Sequence, residues 1–115
     1  MNHEGVLKVQ RNLGLCLRAG RLITGEELVL EAIRDGKAKL VLLTNDASTN
    51  TSKRITDKCL FYRVPLQIAF TRDQLGEAIG KAERVVVAIT DQGFKKLISD
   101  GLKNMEVNGI DETSR

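Results

Sequence analysis

Aromatic side chains are scarce in this 115-residue sequence, where three Phe, one Tyr and no Trp make up 3% of the residues. That scarcity argues against stacking platforms for single-stranded nucleic acid. The single histidine, His3, lies at a terminus expected to fray, so no histidine-based triad or general base can be assembled inside a fold. The two cysteines, Cys16 and Cys59, lack close-spaced ligand partners. A metal site or disulfide framework is therefore not expected, and both read as small apolar residues of a reduced cytosolic protein. No apolar run approaches membrane-spanning length, and the opening MNHEGVLKVQRN lacks the apolar stretch of a signal peptide. A cytoplasmic protein with no membrane partner is expected.

What is present is enough for one ordinary domain, with 42% hydrophobic residues to build a core. Lys and Arg number 18 against 15 Asp and Glu, a net charge of +3 and a pI near 9.0. Residues 103–115 hold Lys103 and Arg115 against Glu106, Asp111 and Glu112, so they carry −1 and the rest of the chain +4. This mild basic bias fits a polyanionic partner without identifying one.

The chain is organised around Gly25 to Asn50, GEELVLEAIRDGKAKLVLLTNDASTN. Gly25 can take the backbone conformation that ends a strand, and Glu26 and Glu27 place negative charge in a first helical turn, where the macrodipole favours it. Val29, Ala32, Ile33 and Gly36 share one helical stripe, and Gly36 stops the helix. Leu40–Leu43 is apolar on both faces, which predicts a strand covered by helices on both sides, near the middle of a sheet. Thr44 to Asn50 is dense in side chains that cap helices. A polar crevice at the carboxyl end of a central strand is where open α/β sheets usually bind ligands.

Elsewhere, residues 4–19 place Val6, Val9, Leu13, Cys16 and Leu17 on one helical face, with Gly14 expected to admit a close neighbour. A short strand, Arg21 to Thr24, follows. A helix over about residues 50–63 puts Ile55, Cys59 and Tyr62 on a core stripe and Lys53, Arg54 and Lys58 opposite. Those cations read either as a solvated face with a Lys53–Asp57 pair or as a phosphate contact. Val64 and Pro65 end that helix, and Leu66 to Phe70 predicts an edge strand. Thr71 to Gln74 matches a capping box ahead of a helix through Ile79. After the loop Gly80 to Arg84, Val85 to Ile89 is a second buried strand, and Thr90 or Asp91 caps a last helix carrying Phe94, Leu97 and Ile98. From Lys103 the pattern fades. Residues 1–102 thus read as a single domain and 103–115 as a mobile polar tail. The alternation predicts a three-layer α/β/α sandwich with a mixed sheet of about four strands.

Catalytic chemistry is not legible. Gly76 to Ala82 superficially resembles a phosphate-binding loop, but it has one residue too few between its glycines, alanine in place of the metal-binding hydroxyl, and a strand after it instead of before. Cys59 sits on an apolar stripe without an activating partner, and Asp46 and Asp91 read as helix caps. No cofactor, metal or enzymatic activity is expected. A surface of loops, glycines and cations remains.

The strings LRAGRLITGEE, AIRDGKAKLVLLTNDAS, NTSKRITDKC, LGEAIGK and RVVVAITDQGF, in this order, resemble the YlxQ group of bacterial proteins. That group lies within the kink-turn-binding ribosomal protein superfamily typified by the archaeal seven-Ae protein. The resemblance spans about residues 6–99 and implies the layered fold, structured RNA as partner, and no catalysis. In RNA-binding members the recognition helix begins Gly-x-Asn-Glu, with a lysine three residues beyond the glutamate. Here Gly25 keeps the glycine, while Glu27 stands at the asparagine position, Leu28 at the glutamate and Glu31 at the lysine. An apolar residue that packs on a flipped base falls near Ser52, which is polar, and the loop before the last strand keeps Lys81 and Arg84.

Two functions follow. The first is a module binding structured RNA, ribosomal or regulatory, with Gly25, Glu26, Glu27, Leu28, Glu31, Lys81 and Arg84 at the contact, helped by Arg21, Lys53 and Arg54. The second is a protein-interaction or ribosome-assembly module, in which exposed Leu28 and Leu30 meet a ribosome-associated protein and RNA recognition is altered or lost. A small-molecule enzyme would instead require a closed pocket with converging carboxylates.

Overall fold

Helices and strands alternate along the chain: α1 (His3–Arg18), β1 (Leu22–Thr24), α2 (Glu26–Arg34), β2 (Leu40–Leu43), α3 (Thr49–Tyr62), β3 (Leu66–Ile68), α4 (Arg72–Ala78), β4 (Val86–Ile89) and α5 (Gln92–Thr113). The computed structural model describes the backbone of residues 3–113 and the side chains of residues 3–105. The four strands form one sheet in the order β1-β4-β2-β3. Strands β1 and β2 both run antiparallel to β4, while β3 runs parallel to β2, with α3 as the crossover that a parallel pair requires. The two wholly apolar strands, β2 and β4, are the interior pair, and every residue in both is buried.

Side chains alternate across a strand, and the two faces of the sheet meet different helices. Leu40, Leu42, Val87 and Ile89 share a core with α1, α4 and α5, including Val9, Leu13, Leu75 and Ile98. Val41, Leu43, Val86 and Ala88 share the other with α2 and α3, including Val29, Ile33, Ile55 and Cys59. The three-layer α/β/α sandwich with a mixed four-stranded sheet is therefore present. Fully burying each such aliphatic side chain contributes about 1.5–3 kcal/mol, so these faces dominate the stability of the fold. Gly14 admits α4 as the sequence suggests, since a Cβ there would stand 3.1 Å from the Ala78 carbonyl oxygen.

Local signals set several element ends. Thr71 and Gln74 form the reciprocal capping box, with Thr71 Oγ1 accepting from the Gln74 N–H and Gln74 Oε1 from the Thr71 N–H. Ser48 caps α3 by accepting from the Thr51 N–H at 3.1 Å, and Asp91 caps α5 by accepting from the Phe94 N–H at 2.9 Å.

Three expectations are corrected. The chain does not lose its pattern at Lys103: α5 continues to Thr113, and Leu102 and Met105 are buried in the α1 core. A boundary after residue 102 would cut this helix; residues 114 and 115 lie outside the described residues. Leu30 is buried beneath α2, so of the leucine pair assigned to a protein partner only Leu28 is exposed. Tyr62 shares the helical spacing of Ile55 and Cys59 but is exposed, because it lies in the last turn of α3 just before Arg63 takes left-handed backbone, φ 59°. Among the described residues no helix is long and apolar enough to cross a membrane.

Candidate functional site

Strand register gathers four loops at one end of the sheet. Thr24, the last residue of β1, pairs with Val87, and Leu43, the last of β2, pairs with both Val86 and Ile68. The Thr44 N–H donates to the Val85 carbonyl and the Asn45 N–H to the Phe70 carbonyl, each at 2.9 Å. The turn into α2, the loop into α3, the turn into α4 and the loop that precedes β4 consequently share one rim. One strand spacing, about 4.8 Å, separates β1 from β4 where the Gly25 turn and the loop carrying Lys81 and Arg84 meet.

Gly25 and Phe70, at the same rim, have positive φ. Gly25 has φ 99° and ψ 138°, a conformation open to glycine, and it turns β1 directly into α2. Phe70 has φ 71° although its ring is fully buried, an unfavourable conformation for a bulky residue held by its core contacts and the Asn45 hydrogen bond. Thr24 Oγ1 and Thr44 Oγ1, at the ends of β1 and β2, are the two buried side-chain oxygens without a hydrogen-bond partner among the described residues.

Charge at the rim is organised by two arginines. Arg54, from α3, bridges Glu26 and Glu27 in the first turn of α2, and Thr51 Oγ1 donates to Glu26 Oε1 at 2.8 Å. Arg72, from α4, donates through Nη1 to Glu83 Oε1 at 3.2 Å and through Nη2 to the Asp46 carbonyl at 2.6 Å. The Asp46 carboxylate in turn accepts from the Arg72 backbone N–H at 2.9 Å. Asp46 thus serves the start of α4 and not the helix that directly follows it. Each arginine faces two carboxylates, so each cluster keeps a negative surplus. Lys81 and Arg84 have no carboxylate partner among the described residues, and Arg84 Nη1 donates to the Glu83 carbonyl at 2.6 Å.

The loop holding those two cations is braced. The Lys81 N–H donates to the Gly76 carbonyl at 2.8 Å and the Arg84 N–H to the Arg72 carbonyl at 3.2 Å. A Cβ on Gly76 would fall 2.6 Å from Glu83 Cα, which accounts for the glycine that superficially suggested a phosphate loop.

The sequence-derived residues separate accordingly. Gly25, Glu26, Glu27 and Arg54 come together at the start of α2, and Lys81 and Arg84 lie in the loop before β4 at the same end of the sheet. Lys53 lies in the adjoining first turns of α3 and pairs with Asp57 at 3.0 Å. Leu28 and Glu31 sit further along α2, lining a shallow groove with Ile23 and Lys37. Arg21 is at the other end of β1, where its carbonyl accepts from the Thr90 N–H, so the register removes it from the rim. Arg72 and Glu83 escaped sequence reasoning, with only the capping residues around Arg72 marking its position, while Asp46 reads from the sequence as a cap, but of the helix that directly follows it. The buried thiols of Cys16 and Cys59 are both pushed up to about 11 by desolvation, with the Asp91 charge adding to the effect on Cys16.

Residues 7–99 match the model of the ribosomal protein L7Ae/L30e/S12e/Gadd45 family. The chain belongs to this family. It is 58% identical over 88 residues to the RNA-binding protein YlxQ of Bacillus subtilis, covering 76% of this chain and 88% of that one. A solved protein structure from Bacillus halodurans C superposes with a TM-score of 0.80 at 42% identity, over 84% of this chain and 97% of that one. The Giardia lamblia 15.5kD RNA binding protein shares the fold at TM-score 0.75 and 19% identity, over 93% and 92% of the two chains. The YlxQ resemblance seen in the sequence strings is thereby established, and with it membership of a non-enzymatic L7Ae-type family.

Proposed function

We propose that this L7Ae-family protein is a non-catalytic cytoplasmic module that binds structured, kink-turn-like RNA of ribosomal or regulatory origin at the four-loop rim. The observation that supports the reading is the register that brings the start of α2 to the same end of the sheet as the loop carrying Lys81 and Arg84. The name of the Bacillus subtilis relative supports RNA over a purely protein partner.

The chemistry suits a bent RNA. A regular A-form major groove is too narrow for side chains, but a sharp kink opens it to a helix amino end. Glu27 is exposed and accepts hydrogen bonds from guanine amino groups, while Lys81 and Arg84 meet phosphates. Arg54 holds Glu26 and Glu27 in place and offsets their charge against the RNA. Glu31 lies a turn further along α2, away from the rim, and repels a phosphate only where the RNA extends past it, by about 1 kcal/mol for a close solvated pair.

The test is retention of a kinked RNA helix measured against salt concentration for wild type and for Lys81→Glu with Arg84→Glu. Wild-type affinity falls steeply with salt, and the double variant binds more weakly with a salt slope lower by about 1.5. Salt-insensitive binding, or equal affinity for the two proteins, would overturn the proposal.

A further inference from the structure

Two of the four aromatic residues are spent on the surface, side by side, at the far end of α3. Phe61 is 78% exposed and Tyr62 39% exposed, and their rings meet edge to face with centroids 4.9 Å apart. They line a groove of about 610 Å³ between α2 and α3, with Leu30 at its base and both charges in its walls: Glu27 is paired with Arg54, Asp57 with Lys53 and Arg34 with Asp35, which leaves Lys58 as the wall cation without a carboxylate among the described residues. Arg63 follows directly, in the left-handed conformation usual for a glycine at this capping position. Lys58 and Arg63 have no carboxylate partner among the described residues.

Aromatic residues are too few for an extended stacking platform, but two of them stand side by side here, and we infer that this groove is a second nucleic-acid contact that stacks one or two unpaired nucleotides of the RNA. An aromatic face beside unneutralised cations matches the two parts of such a ligand, a flat base and a phosphate, and the match does not depend on base identity. Charge complementarity selects the occupant: the lining holds three cations against two carboxylates, its carboxylates are already paired, and Lys58 in the wall with Arg63 just after Tyr62 suits a polyanion better than a second copy of this basic chain. Phe61 and Tyr62 take the bases, Lys58 and Arg63 the phosphates. A cation at position 63 in place of the conformationally easier glycine has a use in this arrangement. The inference rests on RNA as the ligand and adds unpaired nucleotides to the folded segment held at the rim.

The experiment uses the full chain and a single-stranded oligoadenylate of about 12 nucleotides. Tyr62 is the only tyrosine and there is no tryptophan, so intrinsic emission reports on this site alone. Oligoadenylate quenches Tyr62 emission, and quenching weakens with added salt. Phe61→Ala weakens binding roughly 5- to 150-fold, the range for one stacked base, while Lys58→Ala and Arg63→Gly each lower the salt slope by about 0.7. Arg63→Gly also raises Tm, so its lost affinity cannot come from unfolding. Lys81→Glu with Arg84→Glu leaves oligoadenylate quenching intact. Unquenched Tyr62 emission at saturating oligoadenylate, or Phe61→Ala binding as wild type, overturns the inference, and a kinked RNA still retained at the rim in that case leaves the proposed function standing. A concentration-dependent dimer abolished by Phe61→Ala, with oligoadenylate binding unchanged, also overturns it and gives the face to a second copy.

Discussion

Replacing Gly76 with alanine isolates the brace under the cationic loop. The new methyl would stand 2.6 Å from Glu83 Cα and 2.9 Å from both Ala82 O and Glu83 N, all backbone atoms that cannot rotate away. Carbon atoms settle near 3.5–4.0 Å apart, so the loop must retreat by about 1 Å. Overpacking of this kind costs about 1–3 kcal/mol, and alanine's better helix propensity returns up to about 1 kcal/mol. The net loss is about 1–2 kcal/mol, a fall in Tm of about 5–10 °C for a domain of this size. Displacement also disturbs the Lys81–Gly76 and Arg84–Arg72 backbone hydrogen bonds, so RNA affinity falls and the salt slope loses up to about 1.5. Gly80→Ala is the control. Gly80 has φ 72° with open space around it, so alanine there strains the backbone without pushing the loop. Thermal melts and RNA retention across a salt series read both effects. A Gly76→Ala protein with wild-type Tm and wild-type salt slope refutes the idea that the loop is held by contact with α4.

Thr44→Val removes a buried hydroxyl that has no partner and leaves Tm equal to or higher than wild type; a loss above about 1 kcal/mol in urea titration would mean the hydroxyl is bonded after all. Arg54→Ala leaves Glu26 and Glu27 unopposed, destabilising the protein by no more than about 1 kcal/mol because the pairs are partly exposed, while weakening RNA retention more at low salt than at high. The thiols of Cys16 and Cys59 titrate near 11 folded and near 9 unfolded, so the stability they contribute is complete below about pH 9 and is lost as pH rises towards 11. Each contributes up to about 2–3 kcal/mol over that window, seen as a falling Tm, and neither thiol reacts with a thiol reagent at neutral pH until denaturant is added.

The strands and caps were legible because their signals are local. Leu40–Leu43 and Val86–Ile89 are apolar at every position, and Thr71 with Gln74 carries its cap in four residues. Helical spacing named a core stripe on α3 but could not show that the last turn leaves its Tyr62 uncovered, nor that α5 runs past Lys103 to bury Met105. The site depended on strand order. Gly25 and Arg84 are far apart in sequence and are brought to the same end of the sheet by the antiparallel pairing of β1 with β4, whereas Arg21 looked close to Gly25 and is separated from it by the length of a strand. Arg72, which ties Asp46 to Glu83 across three loops, sits in a legible capping box, but nothing local announces its partners.

Both border strands of the sheet, Leu22–Thr24 and Leu66–Ile68, are three residues long. An incoming chain that tried to extend the sheet would gain only a few backbone hydrogen bonds before running off the end, too few to offset its lost freedom. Brevity at the margins thus blunts edge-to-edge pairing of a sheet whose central pair of strands is aliphatic and fully buried.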